Sequence, residues 1–285
     1  RRRDLAGALM PGATATGAST TRRDPSATPT GRSWWVATNG SDTNTGDSGS
    51  PLATLQAAAG RAQAGDEIRV RAGTYYQWID TPRGGTASAY LHLVADGPGV
   101  ILDGSDPAYL NRTDWQSDGG GAWSVPFTGA TRLVCADADQ RLYHHASLAN
   151  LQAGTGGIPQ GWTIAGGRLS VRLEDGSSPA GHTMHVARYN VGVYVDQSYW
   201  QVRGFEIRFF GTTSNASGIQ LLSGSNRVIA NNTVHTIGGR NVFARIGATN
   251  DLIERNTCTD PRIFSWPWDA TKAHEEEQQG ISYRG

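Results

Sequence analysis

The amino-acid sequence predicts an all-β fold, a right-handed parallel β-helix, because short strands repeat in its second half. Three similar segments begin 27 and 24 residues apart, at Trp200, Arg227 and Asp251. A second set of short strands starts at Val193, Ile219, Val242 and Ile281. A period near two dozen residues indicates stacked coils, since each coil can bury its inner face only against its neighbours. Right-handed crossovers between parallel strands fix the handedness, and the 37 glycines suit the corners.

An amphipathic helix is predicted to cap the first coil. Ser50 is the expected N-cap and Pro51 the first helical residue, and the helix is expected to run for about four turns to Gly65. Its apolar residues recur at helical spacing, at Leu52, Leu55, Ala59 and Ala62. Such a helix would cover the open edge of the first coil. Period-two alternation then predicts strands at 67–71, 73–75, 91–94 and 100–104.

The chain divides into four segments. Residues 1–32 contain hardly a large apolar side chain, which predicts a disordered tail or linker. Residues 33–103 are predicted to form the cap and the first β-helix strands, and residues 188–285 the later coils. Residues 104–187 are predicted to be an inserted antiparallel β subdomain, from two hairpin patterns. These hairpins join Arg132–Ala136 to Gln140–His144 and Trp162–Ala165 to Arg168–Leu173.

The predicted coils contain aligned polar residues. Asn232 and Asn256 share one register, where stacked amides can hydrogen-bond from coil to coil and tolerate a left-handed corner. Phe205 interrupts this ladder in the preceding coil. Arg208 and His235 are expected to stack on one outward face, most simply as structural polar contacts. The chain stops at Gly285 inside a predicted strand, so the C-terminal coils are expected to be missing.

Composition argues against several classes of protein. The formal net charge is +0, whereas nucleic-acid binders usually carry a basic face. No apolar run reaches the roughly 18 residues needed to cross a bilayer. Cys135 and Cys258 lie too far apart in sequence to suggest a metal-spaced pair, and two cysteines make no disulfide framework. We therefore expect a protein that binds neither nucleic acid nor membrane. We also expect it to be a monomer.

Four stretches of residues 34–104 carry a resemblance to a known group of proteins. They are residues 36–46 (VATNGSDTNTG), 51–58 (PLATLQAA), 64–66 (AGD) and 71–75 (RAGTY). Together they resemble the entry segment of secreted bacterial right-handed β-helix proteins, which include polysaccharide lyases of the pectate-lyase superfamily and some β-helix glycosidases. The resemblance implies an extracellular protein directed at a polysaccharide. Fold likeness alone does not fix the chemistry.

A long connection is the predicted site of chemistry. The interval from Val242 to Ile281 is 39 residues, so about 15 residues leave the coil after Cys258. They include Arg262, Trp266, Trp268, Asp269, Lys272, His274, Glu276 and Glu277. Lys272 is the single lysine of the chain. Titratable groups beside tryptophans that can stack on sugar rings predict a groove wall, although a solvated loop with Glu–Lys pairs is an equally open interpretation.

The first functional hypothesis is a polysaccharide lyase that cleaves an acidic glycan by β-elimination. This reaction needs a base for the proton beside the uronate carboxylate, and Lys272 or His274 is predicted to supply it. It also needs positive charge on that carboxylate, for which Ca²⁺ is the expected cofactor. The predicted calcium ligands are Asp269, Glu276 and Glu277. The predicted substrate-binding residues are Arg240, Arg245, Arg262, Trp266 and Trp268.

Two other hypotheses stay open. A glycoside hydrolase on the same scaffold would use two carboxylates, with Asp269 or Glu277 as one of the pair. Resemblance to some β-helix hydrolases implies an Asp where this chain has Gln279, which weakens that hypothesis. The third hypothesis is a non-catalytic β-helix adhesin or glycan-binding module that uses a flat, aromatic-bearing sheet.

Overall fold

The computed structural model describes residues 28–137, 140–261 and 280–283, and it begins with the first coils of a β-helix. The N-terminal elements are β1 (Ser33–Val36), α1 (Leu55–Arg61), β2 (Glu67–Val70), β3 (Gly73–Tyr75), β4 (Ile79–Asp80), β5 (Leu91–Ala95) and β6 (Val100–Asp103). All the pairings among β1, β2 and β5, and that of β3 with β6, are parallel. Successive coils therefore stack in the same direction.

An antiparallel unit follows β6. It contains α2 (Pro107–Leu110), β7 (Gln116–Gly119), β8 (Ala122–Pro126), β9 (Val134–Ala136), β10 (Gln140–Arg141), β11 (Tyr143–His144), α3 (Leu148–Ala153), β12 (Gly161–Ala165), β13 (Arg168–Arg172) and β14 (Met184–Val186). Its sheets have the orders β10-β9-β14 and β11-β12-β13-β8-β7. The hairpins β9–β10 and β12–β13 are antiparallel, as their turn residues predict. The predicted strand Gln140–His144 is divided, because β10 pairs with β9 whereas β11 pairs in parallel with β12 of the other sheet. The unit has its own apolar core around Trp162 and Leu169.

The later coils resume after the antiparallel unit. Their strands are β15 (Val191–Val195), β16 (Trp200–Arg203), β17 (Glu206–Arg208), β18 (Ser217–Leu221), β19 (Gly224–Ser225), β20 (Val228–Ala230), β21 (Thr233–Ile237), β22 (Arg240–Ala244), β23 (Ala248–Thr249), β24 (Leu252–Glu254), β25 (Thr257–Pro261) and β26 (Ile281–Tyr283). The register joins Val193 to Ile219, Ile219 to Val242, and Val242 to Ile281. The repeat predicted from the sequence is therefore the repeat of the fold.

Three parallel sheets form the right-handed β-helix. Sheet 1 contains β1, β2, β5, β16, β20 and β24; sheet 2 contains β3, β6, β17, β21 and β25; sheet 3 contains β4, β15, β18, β22 and β26. From β2 onward, each coil passes through sheets 1, 2 and 3 in turn. Alternate side chains point inward and stack in register, for example Ile207 on Val234 and Val193 on Ile219. Full burial of each such side chain contributes about 1.5–3 kcal/mol to folding.

An asparagine ladder fastens the corner between sheets 1 and 2. Asn232 Nδ2 donates to Asn256 Oδ1 at 3.0 Å, and Asn232 Oδ1 accepts from the backbone N–H of Phe205 at 3.1 Å. Phe205 ends the ladder, as expected. The expectation that Asn232 and Asn256 adopt the left-handed conformation is wrong. The preceding residues adopt it instead, Asn231 at φ 58° and Arg255 at φ 54°, which leaves the amides free to point inward.

Helix α1 starts later and is shorter than the sequence predicts. Its N-cap is Thr54, whose side chain accepts from the N–H of Ala57, and not Ser50. Leu52 is extended because its backbone pairs with Trp35 and Ala37 of the first coil, and tertiary hydrogen bonds outweigh the helix signal of Ser50-Pro51. Leu55, Ala58 and Ala59 of the helix are buried in the core of the coils.

The first hydrogen-bonded residues of the fold lie earlier in the chain than composition predicts. Thr30, Gly31 and Arg32, assigned to the tail from composition, are hydrogen-bonded through their N–H groups to Gly65 and Asp66. The ordered chain thus begins before Ser33.

Within the described residues, no helix is long and apolar enough to cross a membrane.

Candidate functional site

The outer face of sheet 3 brings polar and aromatic side chains into one row. The register aligns Asp80, Tyr194, Gln220, Phe243 and Ser282. Their neighbours Ile79, Val193 and Ile219 are fully buried in the core, so the row faces away from it. Asp80 and Tyr194 are partly exposed, whereas Gln220 and Phe243 are each only 3% exposed. The accessible part of the row is therefore at β4 and β15.

A pair of carboxyl groups lies at this accessible end. Asp196 follows β15, and Thr81 Oγ1 donates to its Oδ1 at 3.1 Å and accepts from its N–H at 3.2 Å. Burial raises the pKa of Asp80, and the negative charge of Asp196 raises it further. Asp80 Oδ1 is buried and has no hydrogen-bond partner. The Asp80 carboxyl therefore keeps its proton to a higher pH than an ordinary aspartate, within electrostatic reach of a second carboxyl group.

The same charged groups shift the pKa of Tyr194. Burial is the main cause that raises the pKa of its phenol, and the carboxylates of Asp196 and Asp80 add to it. The guanidinium of Arg245 acts in the opposite direction. Tyr194 therefore lies within electrostatic reach of the carboxyl pair and of Arg245, and its phenol stays protonated as a hydrogen-bond donor.

Helix α1 fixes the strand that carries Asp80. Gln56 Oε1 accepts from the N–H of Asp80 at 2.9 Å, and Gln56 Nε2 donates to its carbonyl at 3.4 Å. This side-chain amide takes the place of a neighbouring strand at the edge of sheet 3. Gln77 makes the reverse connection, accepting from Leu55 N at 3.1 Å and donating to Ala53 O at 3.2 Å. Trp78, between these two anchors, is 44% exposed.

The two arginines predicted to bind substrate lie together on sheet 3. The guanidinium of Arg240 is 4.3 Å from the ring centre of Phe243, and that of Arg245 is 5.8 Å from it. Arg240 is buried, whereas Arg245 is exposed. Arg245 therefore presents positive charge to solvent on the same face as Asp196, two strands further along. Two strand spacings correspond to about 9.5 Å.

Sheet 2 carries a second polar cluster, formed by Asp103, Glu206, Arg208 and His235. Arg208 Nε contacts Asp103 Oδ2 at 2.9 Å, and Arg208 Nη1 contacts Glu206 Oε1 at 3.0 Å. His235 Nε2 lies 3.2 Å from Glu206 Oε1. Arg208 and His235 share a register, as the sequence predicts. The groups pair with one another, so the cluster is a structural stack on the coil surface.

The junction between the antiparallel unit and the coils is also polar. Ser105 Oγ lies 2.9 Å from His185 Nδ1, and the His185 ring stacks on Phe209 with centres 3.8 Å apart. Burial lowers the pKa of His185 to about 4, since it disfavours the charged imidazolium. Ser105 and His185 are both buried. Their contact therefore holds the two parts of the chain together and faces no solvent.

The residues of the predicted groove wall lie outside the described residues. They are Arg262, Trp266, Trp268, Asp269, Lys272, His274, Glu276 and Glu277. The flanking strands are described: β25 belongs to sheet 2 and β26 to sheet 3, so the connection spans the corner between these sheets. Within the part of the chain that the structure describes, no group of three or more His, Cys, Asp or Glu side chains could hold a metal ion. The predicted calcium ligands remain a prediction.

The fold and this face define a parallel β-helix protein with a polar and aromatic row on sheet 3. No family model matches the sequence. The sequence is similar to pectate lyase PEL9 of Emericella nidulans, with 37% identity over 93 residues, covering 30% of this chain and 23% of the relative. The similarity supports the resemblance to the pectate-lyase superfamily stated above. The chain spans less than a quarter of the length of this curated relative.

Solved structures share the fold. XylC, solved in complex with xylose, matches 87% of this chain with a TM-score of 0.64 and 15% identity, over 56% of its own length. Pectate lyase Pel9A matches 90% of this chain with a TM-score of 0.48 and 16% identity, over 46% of its own length. The likeness to XylC confirms the predicted fold class.

Sequence reasoning missed the accessible end of the sheet 3 face. Strand β4 has only two residues, Ile79 and Asp80, too few to show alternation. Its partner β15 lies more than 100 residues later, because the antiparallel unit intervenes, so the two-dozen-residue repeat does not connect them. The available signal was Trp78-Ile79-Asp80 itself, an apolar residue between an aromatic and an acidic one.

Proposed function

We propose that the chain is part of an extracellular, monomeric carbohydrate-active enzyme that binds a polysaccharide along the outer face of sheet 3. We propose further that the reaction is β-elimination from an acidic glycan. The observation that carries the proposal is the exposed guanidinium of Arg245 beside the aromatic and polar row of that face. The 37% identity to a pectate lyase over 93 residues supports the same class of substrate.

The proposed reaction breaks one C–O bond and forms one C=C bond. A base takes the proton from the sugar carbon beside the uronate carboxylate, the electron pair forms the double bond, and the glycosidic oxygen leaves and gains a proton. Lys272 or His274 is the proposed base. Arg245, with Arg240 behind it, stabilises the negative charge that develops on the carboxylate. Ca²⁺ at Asp269, Glu276 and Glu277 would add positive charge there.

The remaining predicted residues of the long connection have a binding role in this proposal. Trp266 and Trp268 offer rings for stacking on sugars, and Arg262 offers a further cation for a uronate. The connection leaves sheet 2 after β25 and returns to sheet 3 at Gly280, which is hydrogen-bonded to Val242 near Arg240 at the start of β22. The proposed base would thus come from the end of the sheet 3 face at which β22 and β26 begin.

Product analysis tests this proposal. The protein is incubated with polygalacturonate and with alginate, and unsaturated sugar ends are measured by ultraviolet absorbance, with and without a calcium chelator. We expect Arg245→Ala to lower kcat/KM by about 10- to 100-fold, since hydrogen bonds to charged groups contribute about 1.5–3 kcal/mol. Arg255→Ala is the matched control, because Arg255 is exposed and pairs with Glu254 at the end of sheet 1. Absent unsaturated products, or equal activity of the two variants, would refute the proposal.

Glycoside hydrolysis is the second candidate, and the Asp80–Asp196 pair favours it. Hydrolysis needs one carboxyl group that is protonated and a second that is ionised. The raised pKa of Asp80 suits the acid, and Asp196 is its neighbour. This candidate predicts reducing ends without unsaturation, lost in Asp80→Asn and kept in Asp114→Asn, an exposed aspartate of the antiparallel unit.

A further inference from the structure

We propose that Trp78, Asp80, Tyr194 and Asp196 form a binding site for a neutral sugar unit at one end of the sheet 3 face. The proposal rests on the proposed glycan-binding function of this face and adds the class of sugar that each end takes. The inference is the same whether the enzyme acts by β-elimination or by hydrolysis.

The indole of Trp78 is placed for stacking. Trp78 and Asp80 flank Ile79, which is fully buried, so both side chains point away from the core. Among the described large apolar side chains with high exposure, Trp78 at 44% is the aromatic one; the others are Ile246 and Ile281. An exposed indole offers a flat apolar surface that covers the C–H face of a sugar ring.

The backbone on both sides of Trp78 is held in place. Gln77 exchanges two hydrogen bonds with the start of helix α1, and Gln56 of that helix exchanges two with Asp80. The segment therefore does not lose much backbone freedom when a ligand binds. A preorganised site binds more tightly for the same contacts.

The polar half of the site consists of two carboxyl groups and a phenol. Asp80, Tyr194 and Asp196 are each partly exposed, so a ligand can reach all three side chains. Thr81 already holds Asp196, and Tyr194 adds a phenol on the neighbouring strand in register with Asp80. A hydroxyl-bearing ligand thus finds acceptors and a donor beside the indole.

The charges select against an acidic sugar at this end. A uronate carboxylate here would face both Asp80 and Asp196 in a partly buried setting, where like charges repel strongly. The same carboxylate would be attracted by Arg245, whose strand β22 lies two strand spacings, about 9.5 Å, from β15. The face is therefore polarised, with a neutral sugar at β4 and β15 and an acidic sugar at β22. A glycan that combines neutral and acidic units fits this arrangement.

Isothermal titration calorimetry with defined tetrasaccharides tests the inference. The probes are xylotetraose and cellotetraose as neutral ligands and tetragalacturonate as the acidic one. We expect Trp78→Ala to weaken neutral-ligand binding by roughly tenfold or more, and Trp78→Phe to retain most of it. Trp35→Ala is the matched control, because Trp35 lies on sheet 1 between Arg69 and Arg71. We expect Asp196→Asn to improve binding of tetragalacturonate relative to the neutral ligands.

The outcomes separate this inference from the proposed function. Neutral-ligand binding that requires Trp78, in a protein without any turnover, would support the site and refute the enzyme proposal. Turnover of an acidic polysaccharide with no binding of either neutral probe would overturn the site and leave the enzyme proposal standing. Equal weakening of neutral binding by Trp78→Ala and Trp35→Ala would also overturn it.

Discussion

Arg227 is predicted to be among the positions of the β-helix at which a substitution lowers the free energy of unfolding most. Its side chain is fully buried, and its guanidinium donates to four backbone carbonyls at the turn between sheets 3 and 1, those of Val195, Leu222, Ser223 and Gly224. It also binds Asp251 of the next coil through Nε at 3.0 Å and Nη2 at 2.8 Å. One side chain thus connects three successive coils.

The substitution Arg227→Met tests this connection. Methionine fills much of the volume but leaves the Asp251 carboxylate, which is 6% exposed, without its cation. Removing one partner of a buried ion pair costs about 3–5 kcal/mol, mostly from the uncompensated charge. The double variant Arg227→Met with Asp251→Asn buries no charge, and its amide oxygen can still accept from the backbone N–H of residue 227, as Asp251 does at 2.9 Å. We expect it to recover about 2 kcal/mol.

Urea unfolding, followed by tryptophan fluorescence, measures these differences in the free energy of unfolding. They are observed as shifts of the midpoint urea concentration at an unchanged m-value. The control is Arg255→Met, which breaks the exposed Arg255–Glu254 pair and should cost less than about 1 kcal/mol. A loss below about 1 kcal/mol in Arg227→Met would refute the reasoning. Failure of the double variant to recover stability would show that the backbone contacts, and not the buried charge, dominate.

Two further predictions concern the polar interior. Asn232→Ala should lower the free energy of unfolding by about 2–3 kcal/mol in the same urea assay, because it leaves the buried N–H of Phe205 without its acceptor; the exposed Asn215→Ala should change little. Burial, with the nearby charge of Arg203, lowers the pKa of His92 to about 4, so between about pH 6.5 and 4 the unfolded chain binds a proton that the folded chain does not. Stability should therefore fall as pH drops through this window, and should fall less in His92→Gln; an equal fall in the variant would contradict the assignment.

The coils were predictable because their signal is periodic and local. Ile219, Val242 and Ile281 recur within short strands, and the structure pairs them. The helix boundary was not predictable, since Ser50-Pro51 is a strong local signal that the pairing of Leu52 with the first coil overrides. Local rules fail where a backbone segment finds a hydrogen-bond partner distant in sequence.

Part of the candidate site could be predicted from the sequence, and part of it could not. The sequence placed Arg240 and Arg245 at the two ends of one strand, and the structure puts both guanidinium groups near the ring of Phe243. Asp80 could not be joined to Tyr194 and Asp196, because a contact across the antiparallel unit leaves no trace in strand spacing. The pKa of Asp80 depends on burial and on the charge of Asp196, and the residues next to Asp80 in sequence predict neither.

The corner between sheets 2 and 3 accommodates chain of very different lengths. The turn from β21 to β22 uses two residues, Gly238 and Gly239, whereas β6 and β15 are separated by the whole antiparallel unit. Both connections return to a strand in register with the coil below. Large segments at this one edge could therefore be exchanged by recombination while the stacking of coils is preserved, so the scaffold can be rebuilt for a different ligand without redesigning its interior.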